Sequence, residues 1–149
     1  MQTLTIDIGG TGIKMLRVDA AGRPITERQR ALTPPSGLPS AVLDVIESMI
    51  TDASDYDRVS VGFPGVVAQG VVRTAPNLNT DAWHGFDLAT AIARLSHRPT
   101  RVLNDADLQG YGVIDGQGLE MVLTLGTGLG TSLYIDGRLV PNLELAHHP

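Results

Sequence analysis

Apolar and polar positions alternate with period two in three successive runs at the start of the chain, residues 3–8, 13–19 and 25–32. Such alternation predicts half-buried strands, and the breaks at residues 9–12 and 20–24 predict turns that make the three strands antiparallel. After a proline-rich loop at residues 33–39 the period changes. Val42, Leu43, Ile46, Met49 and Ile50 fall at helical spacing and predict a core-facing helix. Strand pattern returns at residues 58–63 and briefly at 70–73. A second helix is expected from an Asp87 N-cap to Leu95. Residues 100–103 form a short strand that passes into a helix ending near Tyr111. The chain then returns to strands at residues 121–125, 131–135 and 138–140.

That last group repeats the first. Residues 123–131 read Leu-Thr-Leu-Gly-Thr-Gly-Leu-Gly-Thr, and residues 4–14 read Leu-Thr-Ile-Asp-Ile-Gly-Gly-Thr-Gly-Ile-Lys. Each is an apolar strand, a Gly/Thr turn and a resumed strand. Each then closes on an aspartate, a glycine and an arginine: Asp19, Gly22 and Arg23, then Asp136, Gly137 and Arg138. An internal duplication is the economical explanation. Gly9, Gly10 and Thr11 in one turn, and Gly126, Thr127 and Gly128 in the other, put backbone N–H groups where an anion could approach without a Cβ in the way. The dinucleotide fingerprint fails here, because a strand and not a helix follows, and the Gly-Lys-Ser/Thr ending of an ATPase P-loop is absent. A glycine-rich hairpin of purely structural purpose is the plain alternative for either turn alone. Two such turns facing each other would clamp a phosphate chain and suit phosphoryl transfer.

Several side chains near these turns carry candidate chemistry. Asp7 ends the first strand beside a phosphate turn, where a carboxylate is repulsive unless a cation such as Mg²⁺ or its waters lies between; otherwise it is a turn aspartate. Lys14 either neutralises a phosphate or is a solvated strand lysine. Gly65, in Gly62-Phe63-Pro64-Gly65, either lets backbone approach a ligand or makes a plain turn. Asn77 could offer its amide to a sugar or satisfy its own loop. Trp83, the single tryptophan, is expected to pack its loop onto the core beside Phe86. Arg94, His97, Arg98 and Arg101 gather near a helix C-terminus, where cations suit the dipole; a polyphosphate contact is the lesser alternative. Asn104 and Asp105 end a strand at the edge where open α/β sheets bind ligands. Asp105 could take a proton from a substrate hydroxyl, with Asn104 hydrogen-bonding a neighbouring one, or Asp105 or Asp107 could merely cap the following helix.

Composition narrows the field of functions. With 149 residues, 42% of them hydrophobic, the chain can bury a core. Eleven Lys and Arg against sixteen Asp and Glu give a net charge of −5, which argues against nucleic-acid or anionic-membrane partners. The sequence has no cysteine, so neither a disulfide framework nor a thiolate metal site lies within it. No leader pattern or apolar span long enough to cross a bilayer is present, and the cytoplasm is the default location.

Five motifs in order resemble the ROK family of sugar kinases and sugar-responsive repressors, within the actin-like ATPase superfamily, and most closely its polyphosphate glucokinases. They are Asp7-Ile8-Gly9-Gly10-Thr11, Gly62-Phe63-Pro64-Gly65-Val66-Val67, Leu103-Asn104-Asp105-Ala106-Asp107, residues 123–131, and Val140-Pro141-Asn142-Leu143-Glu144-Leu145-Ala146-His147. The resemblance implies an actin-like (ribonuclease H-like) α/β fold. It implies Asp105 as general base on the sugar's 6-hydroxyl, Asn104, Glu144 and His147 on other hydroxyls, and Gly65 offering backbone. It implies Mg²⁺, with ATP or polyphosphate as phosphoryl donor and glucose as the expected hexose. Ala146 departs from the family, which has glycine there. The family's zinc-binding cysteines and adenosine-contacting segment would lie beyond residue 149.

The expectation for the whole is therefore a hexose kinase. A sugar-responsive repressor would need a helix-turn-helix, with no room for one ahead of Asp7, and a sugar-binding protein without catalysis is a third reading. Residues 1–104 are expected to form a first domain and 105–149 the start of a second, truncated one. The intact protein is expected to continue, to form a homodimer, and to bind neither nucleic acid nor membrane. The 149 residues alone are expected to lack kinase activity and to expose apolar surface.

Overall fold

The computed structural model describes residues 1–51, 55–125 and 129–141. Strand β1 (Thr3–Ile8) pairs antiparallel with β2 (Gly12–Val18), which pairs antiparallel with β3 (Gln29–Leu32). Only the second half of the third expected strand joins the ladder. The reason lies at Arg17, whose N–H donates to the Thr26 side-chain oxygen at 2.9 Å, so a hydroxyl takes the place of a ladder carbonyl. Helix α1 (Pro39–Thr51) follows and buries Val42, Ile46 and Met49, as its spacing predicts. Strand β4 (Arg58–Phe63) then lies parallel to β1.

A short hairpin, β5 (Val67–Ala68) and β6 (Val71–Val72), leads to α2 (Thr80–Trp83) and α3 (Leu88–Ser96). The Asp87 side chain accepts from the Thr90 N–H at 3.0 Å and caps α3 as expected. The α2 turn, capped by Asn79, is not evident in the sequence pattern. It carries Trp83 into the core between Phe63 and Phe86, with the indole N–H donating to the Gly37 carbonyl at 2.7 Å. Trp83 therefore packs its loop onto the core.

Strand β7 (Thr100–Asn104) completes a five-stranded sheet of order β3-β2-β1-β4-β7, and α4 (Asp105–Gly110) begins at once. A three-stranded antiparallel sheet follows, β8 (Leu119–Leu125), β9 (Leu129–Ile135) and β10 (Arg138–Val140), in order β10-β9-β8. It reproduces the order and antiparallel pairing of β3-β2-β1, so the duplication seen in the sequence is also one of topology. Asp136 and Gly137 both have positive φ, 49° and 72°, in the two-residue turn between β9 and β10, the Asp-Gly hairpin chemistry that such a turn favours.

The first sheet has two unlike faces. Leu4, Ile6 and Ile8 of β1 join Ile13, Met15, Val59, Val61, Phe63 and Val102 in one core with residues of α1 and α3. Their neighbours point the other way. In that opposite direction lie Asp7, its register partners Lys14 and Gly62, and helix α4, whose Leu108 comes against Gly62.

Candidate active site

The site is built on that second face, at the carboxyl ends of β1 and β7. Asp7 is the penultimate residue of β1 and opposes Lys14 in the β1–β2 register. The Lys14 ammonium donates to Asp7 Oδ2 at 2.9 Å, with both side chains half-exposed. The cation that the sequence demanded beside Asp7 is thus supplied by the chain itself. Lys14 is neither freely solvated nor reserved for a phosphate alone.

Beyond Asp7 the chain makes its first glycine turn. The Gly9 N–H donates to the Gly12 carbonyl at 3.0 Å, and the Thr33 hydroxyl donates to the Gly9 carbonyl at 2.6 Å. Thr33 is buried and its N–H also donates to the Thr11 carbonyl at 3.4 Å, so it pins the turn from outside. The sequence pattern places Thr33 in a loop and gives no hint of this role. Among the described residues the N–H groups of Gly10 and Thr11 donate to no acceptor, and both residues are exposed. Two free amides and the Thr11 hydroxyl on one exposed turn are what an anion would bind.

Asn77 comes over the same turn. A Cβ at Gly10 would lie 3.0 Å from both the Asn77 Cβ and the Asn77 carbonyl oxygen. Its amide is exposed and has no partner among the described residues, so it does not satisfy its own loop.

On β7, Asn104 ends the strand and caps α4. Its Oδ1 accepts from the Ala106 N–H at 2.8 Å and the Asp107 N–H at 3.3 Å, while its Nδ2 donates to the Gly65 carbonyl at 3.1 Å. Neither Asp105 nor Asp107 is the N-cap; Asn104 is. Gly65 is buried, and a Cβ there would run into the Thr74 carbonyl oxygen. The space beside Gly65 is filled by the protein's own backbone, and its carbonyl is engaged by Asn104. Its glycine is needed for packing two loops together, which places Asn104.

Asp105 is a half-buried carboxylate at the start of α4, and its Oδ1 shares the Ala106 N–H with Asn104, at 2.8 Å. Burial is the main cause that raises its pKa above the ordinary value, and the Asp7 charge adds to it; the hydrogen bond from the Ala106 N–H opposes the rise. Gly62 lies beside both Asp7 and Asp105. A Cβ there would be 3.8 Å from Asp7 Oδ1 and 3.7 Å from the Asp105 Cα. The nearest atom to such a Cβ is Leu108 Cδ2, at 3.3 Å, so Gly62 leaves room for α4 to pack against β4 and brings Asp105 close to Asp7, a second feature that the strand pattern hides.

The arrangement brings together Asp7, Lys14, Gly9, Gly10, Thr11, Asn77, Asn104 and Asp105. Gly126, Thr127, Gly128, Glu144 and His147 lie outside the described residues. The cluster of Arg94, His97, Arg98 and Arg101 lies at the start of β7, the end away from Asp105. Arg98 there donates from Nε to the Tyr56 carbonyl at 2.8 Å and stacks over the Tyr56 ring. It is a structural anchor. Among the described residues no three carboxylate or imidazole groups converge as a metal cage. Asp7, half-exposed near two free amides and paired with Lys14 through Oδ2, fits the alternative in which Mg²⁺ would take one carboxylate, waters and the oxygens of a bound phosphate. No helix among the described residues is long and apolar enough to cross a membrane.

A match to the ROK family runs over residues 3–142. The chain belongs to the ROK family. The polyphosphate glucokinase of Mycobacterium leprae (strain TN) is 40% identical over 150 residues, which cover 95% of this chain and 46% of that protein. The solved structure of the inorganic polyphosphate/ATP-glucomannokinase of Arthrobacter sp. strain KM superposes with a TM-score of 0.88 at 35% identity, over 99% of this chain and 63% of that one. A ROK family glucokinase from Streptomyces griseus, solved with glucose and AMPPNP, gives 0.80 at 29% identity, over 93% of this chain and 46% of the other. The chain spans about half the length of the curated relatives it matches. The expected actin-like α/β fold is borne out. In this ROK chain the first glycine turn, the Gly62–Gly65 turn and the Asn104-Asp105 pair converge on one face of the first sheet.

Proposed function

We propose that the whole protein is a hexose kinase that transfers a phosphoryl group from polyphosphate, ATP or both to the 6-hydroxyl of glucose. The observation that carries this reading is Asp105: a half-buried carboxylate of raised proton affinity on the first residue of α4, next to Asn104, which caps that helix, and near enough to Asp7 for its charge to raise that affinity. The names of the relatives, kinases of glucose and related sugars with ATP or polyphosphate, support the same reading.

In the proposed step the sugar's O6 attacks the terminal phosphorus of the donor. The O6–P bond forms as the bridging P–O bond breaks, the remaining donor phosphate leaves with the bond's electrons, and the O6 proton passes to Asp105 Oδ. A raised pKa improves Asp105 as an acceptor while burial keeps it from bulk water. The Gly10 and Thr11 N–H groups hold donor oxygens, and the Lys14 ammonium counters their charge once Asp7 has another cation to face. Mg²⁺, held by Asp7 directly or through water, would neutralise phosphate charge. Asn77 and Asn104 orient sugar or donor, the second of them with the one Nδ2 hydrogen that Gly65 leaves free. The proposed boundary between residues 1–104 and the unit from Asp105 onward falls at the β7–α4 junction, which puts the base where two sheets meet.

The test is formation of glucose 6-phosphate by the full-length protein, supplied with glucose, Mg²⁺ and either ATP or polyphosphate. Transfer from at least one donor supports the kinase; binding of glucose without transfer from either would favour a non-catalytic sugar-binding protein. Turnover with ATP alone would overturn the polyphosphate part and leave the kinase standing.

A further inference from the structure

Across the first sheet three charged residues stand in one row. Asp7 on β1 opposes Lys14 on β2, and Lys14 opposes Arg30 on β3. Residues opposed in register point to the same face of a sheet, so Arg30 shares the face that carries Asp7 and α4. Arg30 is exposed and, among the described residues, its guanidinium has no carboxylate or hydrogen-bond partner. It does not extend into solvent. A Cβ at Gly12 would meet Arg30 Nε at 3.1 Å and Nη2 at 3.5 Å, so the guanidinium lies folded over the last residue of the glycine turn. The absence of a side chain at Gly12 is what lets it lie there.

We propose that Arg30 is a donor-binding residue that grips a linear phosphoanhydride chain beyond the phosphate being transferred, and so favours long polyphosphate as the donor. The proposal rests on the kinase reading above. Going outward from the base, the face presents Asp105, then Asp7, then the free amides of the turn with Lys14, then Arg30 on the edge strand. Two inter-strand steps separate β1 from β3, about 10 Å, a reach that a chain of several phosphates fills. A guanidinium offers paired N–H donors in the geometry of a phosphate's oxygens. In a chain of net charge −5, two adjacent cations beside unpaired amides form a local anion track. The competing explanation is that Arg30 is only an edge-strand charge that discourages pairing with another chain.

Equilibrium binding of long-chain polyphosphate to the full-length protein, by titration calorimetry, separates the two for wild type, Arg30→Gln and Arg30→Lys. The expected result is an affinity about tenfold weaker in Arg30→Gln, partly restored in Arg30→Lys, with a shallower salt dependence in Arg30→Gln. ATP affinity should change by less than polyphosphate affinity, and glucose affinity and the thermal melt should not move. Unchanged polyphosphate affinity in Arg30→Gln would overturn the proposal and leave Arg30 as an edge charge. Equal losses for ATP and polyphosphate would overturn the chain-length part. Turnover is measured beside binding: a wild type that binds polyphosphate through Arg30 without transferring phosphate sinks the kinase reading and keeps this one. A wild type that binds no polyphosphate sinks this one.

Discussion

Asp105 is the proposed base, and Asp7 is the charged neighbour that bears on its proton affinity. Burial raises the free energy of the charged form of Asp105, and the Asp7 charge adds to it. Replacing Asp105 with Asn keeps the size and removes the proposed base, so kcat of the full-length protein should fall by roughly 10²–10⁴-fold with glucose affinity retained; near-wild-type kcat would rule the base out. The same substitution should stabilise the fold. The folded carboxyl holds its proton more tightly than the unfolded chain does, so stability falls as pH rises from the ordinary 3.8 through the raised folded value. Asp105→Asn escapes that loss, and its melting temperature should exceed that of wild type at neutral pH but not at pH 3. Asp7→Asn tests the coupling between the two. Removing that charge lowers the Asp105 pKa, so the acid limb of the pH–kcat/KM profile should move to lower pH. A limb that stays in place or moves up would mean that the Asp7 charge does not bear on Asp105 in the full-length protein.

At the scale of elements, helix α4 decides where Asp105 stands, and three glycines decide where α4 stands. Gly62 admits Leu108, at 3.3 Å from where a Cβ would be. At Gly110 a Cβ would run into the Tyr134 hydroxyl and Ser132 Oγ of β9, and at Gly130 it would run into Thr124 Oγ1 of β8 and come within 2.7 Å of the Ala106 Cβ. One short helix is thus clasped between both sheets, with Tyr134 donating its hydroxyl hydrogen to the Asp107 carbonyl. Gly130→Ala should push the first turn of α4 away from β9, lowering kcat without touching any phosphate or sugar contact and leaving donor KM near wild type. Equal kcat would mean that α4 does not need this contact. Asn104→Ala removes the cap and should cost about 1 kcal/mol of stability, while Asn104→Asp should keep most of the cap and lose the amide bond to Gly65. A melt of both variants separates the two roles. The strands and α1 were legible because period-two and helical patterns survive burial on one face. The capping role of Asn104 was not, because an Asn-Asp pair before a helix offers two acceptors and only the backbone angle chooses between them. Nor were Thr33 and Gly62, since one acts through a loop hydroxyl and the other through the room it leaves for Leu108.

For the molecule as a whole, the duplicated β unit is covered in one copy and bare in the other. Matching Ile8-Gly9 to Leu125-Gly126 pairs Leu4, Ile6 and Ile8 with Met121, Leu123 and Leu125. The first three are 1%, 1% and 0% exposed in the core that α1 and α3 close, whereas the second three are 48%, 58% and 87% exposed. Leu119, Leu129 and Ile135 are also exposed on this hairpin, so the apolar surface is contiguous and not the scattered kind that soluble proteins tolerate. The polypeptide of residues 1–149 taken alone should therefore bind a hydrophobic dye such as ANS at neutral pH while keeping a cooperative melt, and should self-associate as its concentration rises. Met121→Thr, Leu123→Thr and Leu125→Thr together retain strand preference and remove the apolar row. That variant should lose most of the dye binding and sediment as a monomer, with stability changed by no more than about 0.5 kcal/mol per site, the usual range for exposed positions. A steep loss of stability would instead show that β8 is packed as β1 is, and dye binding unchanged by the triple variant would place the exposed apolar surface elsewhere on the chain.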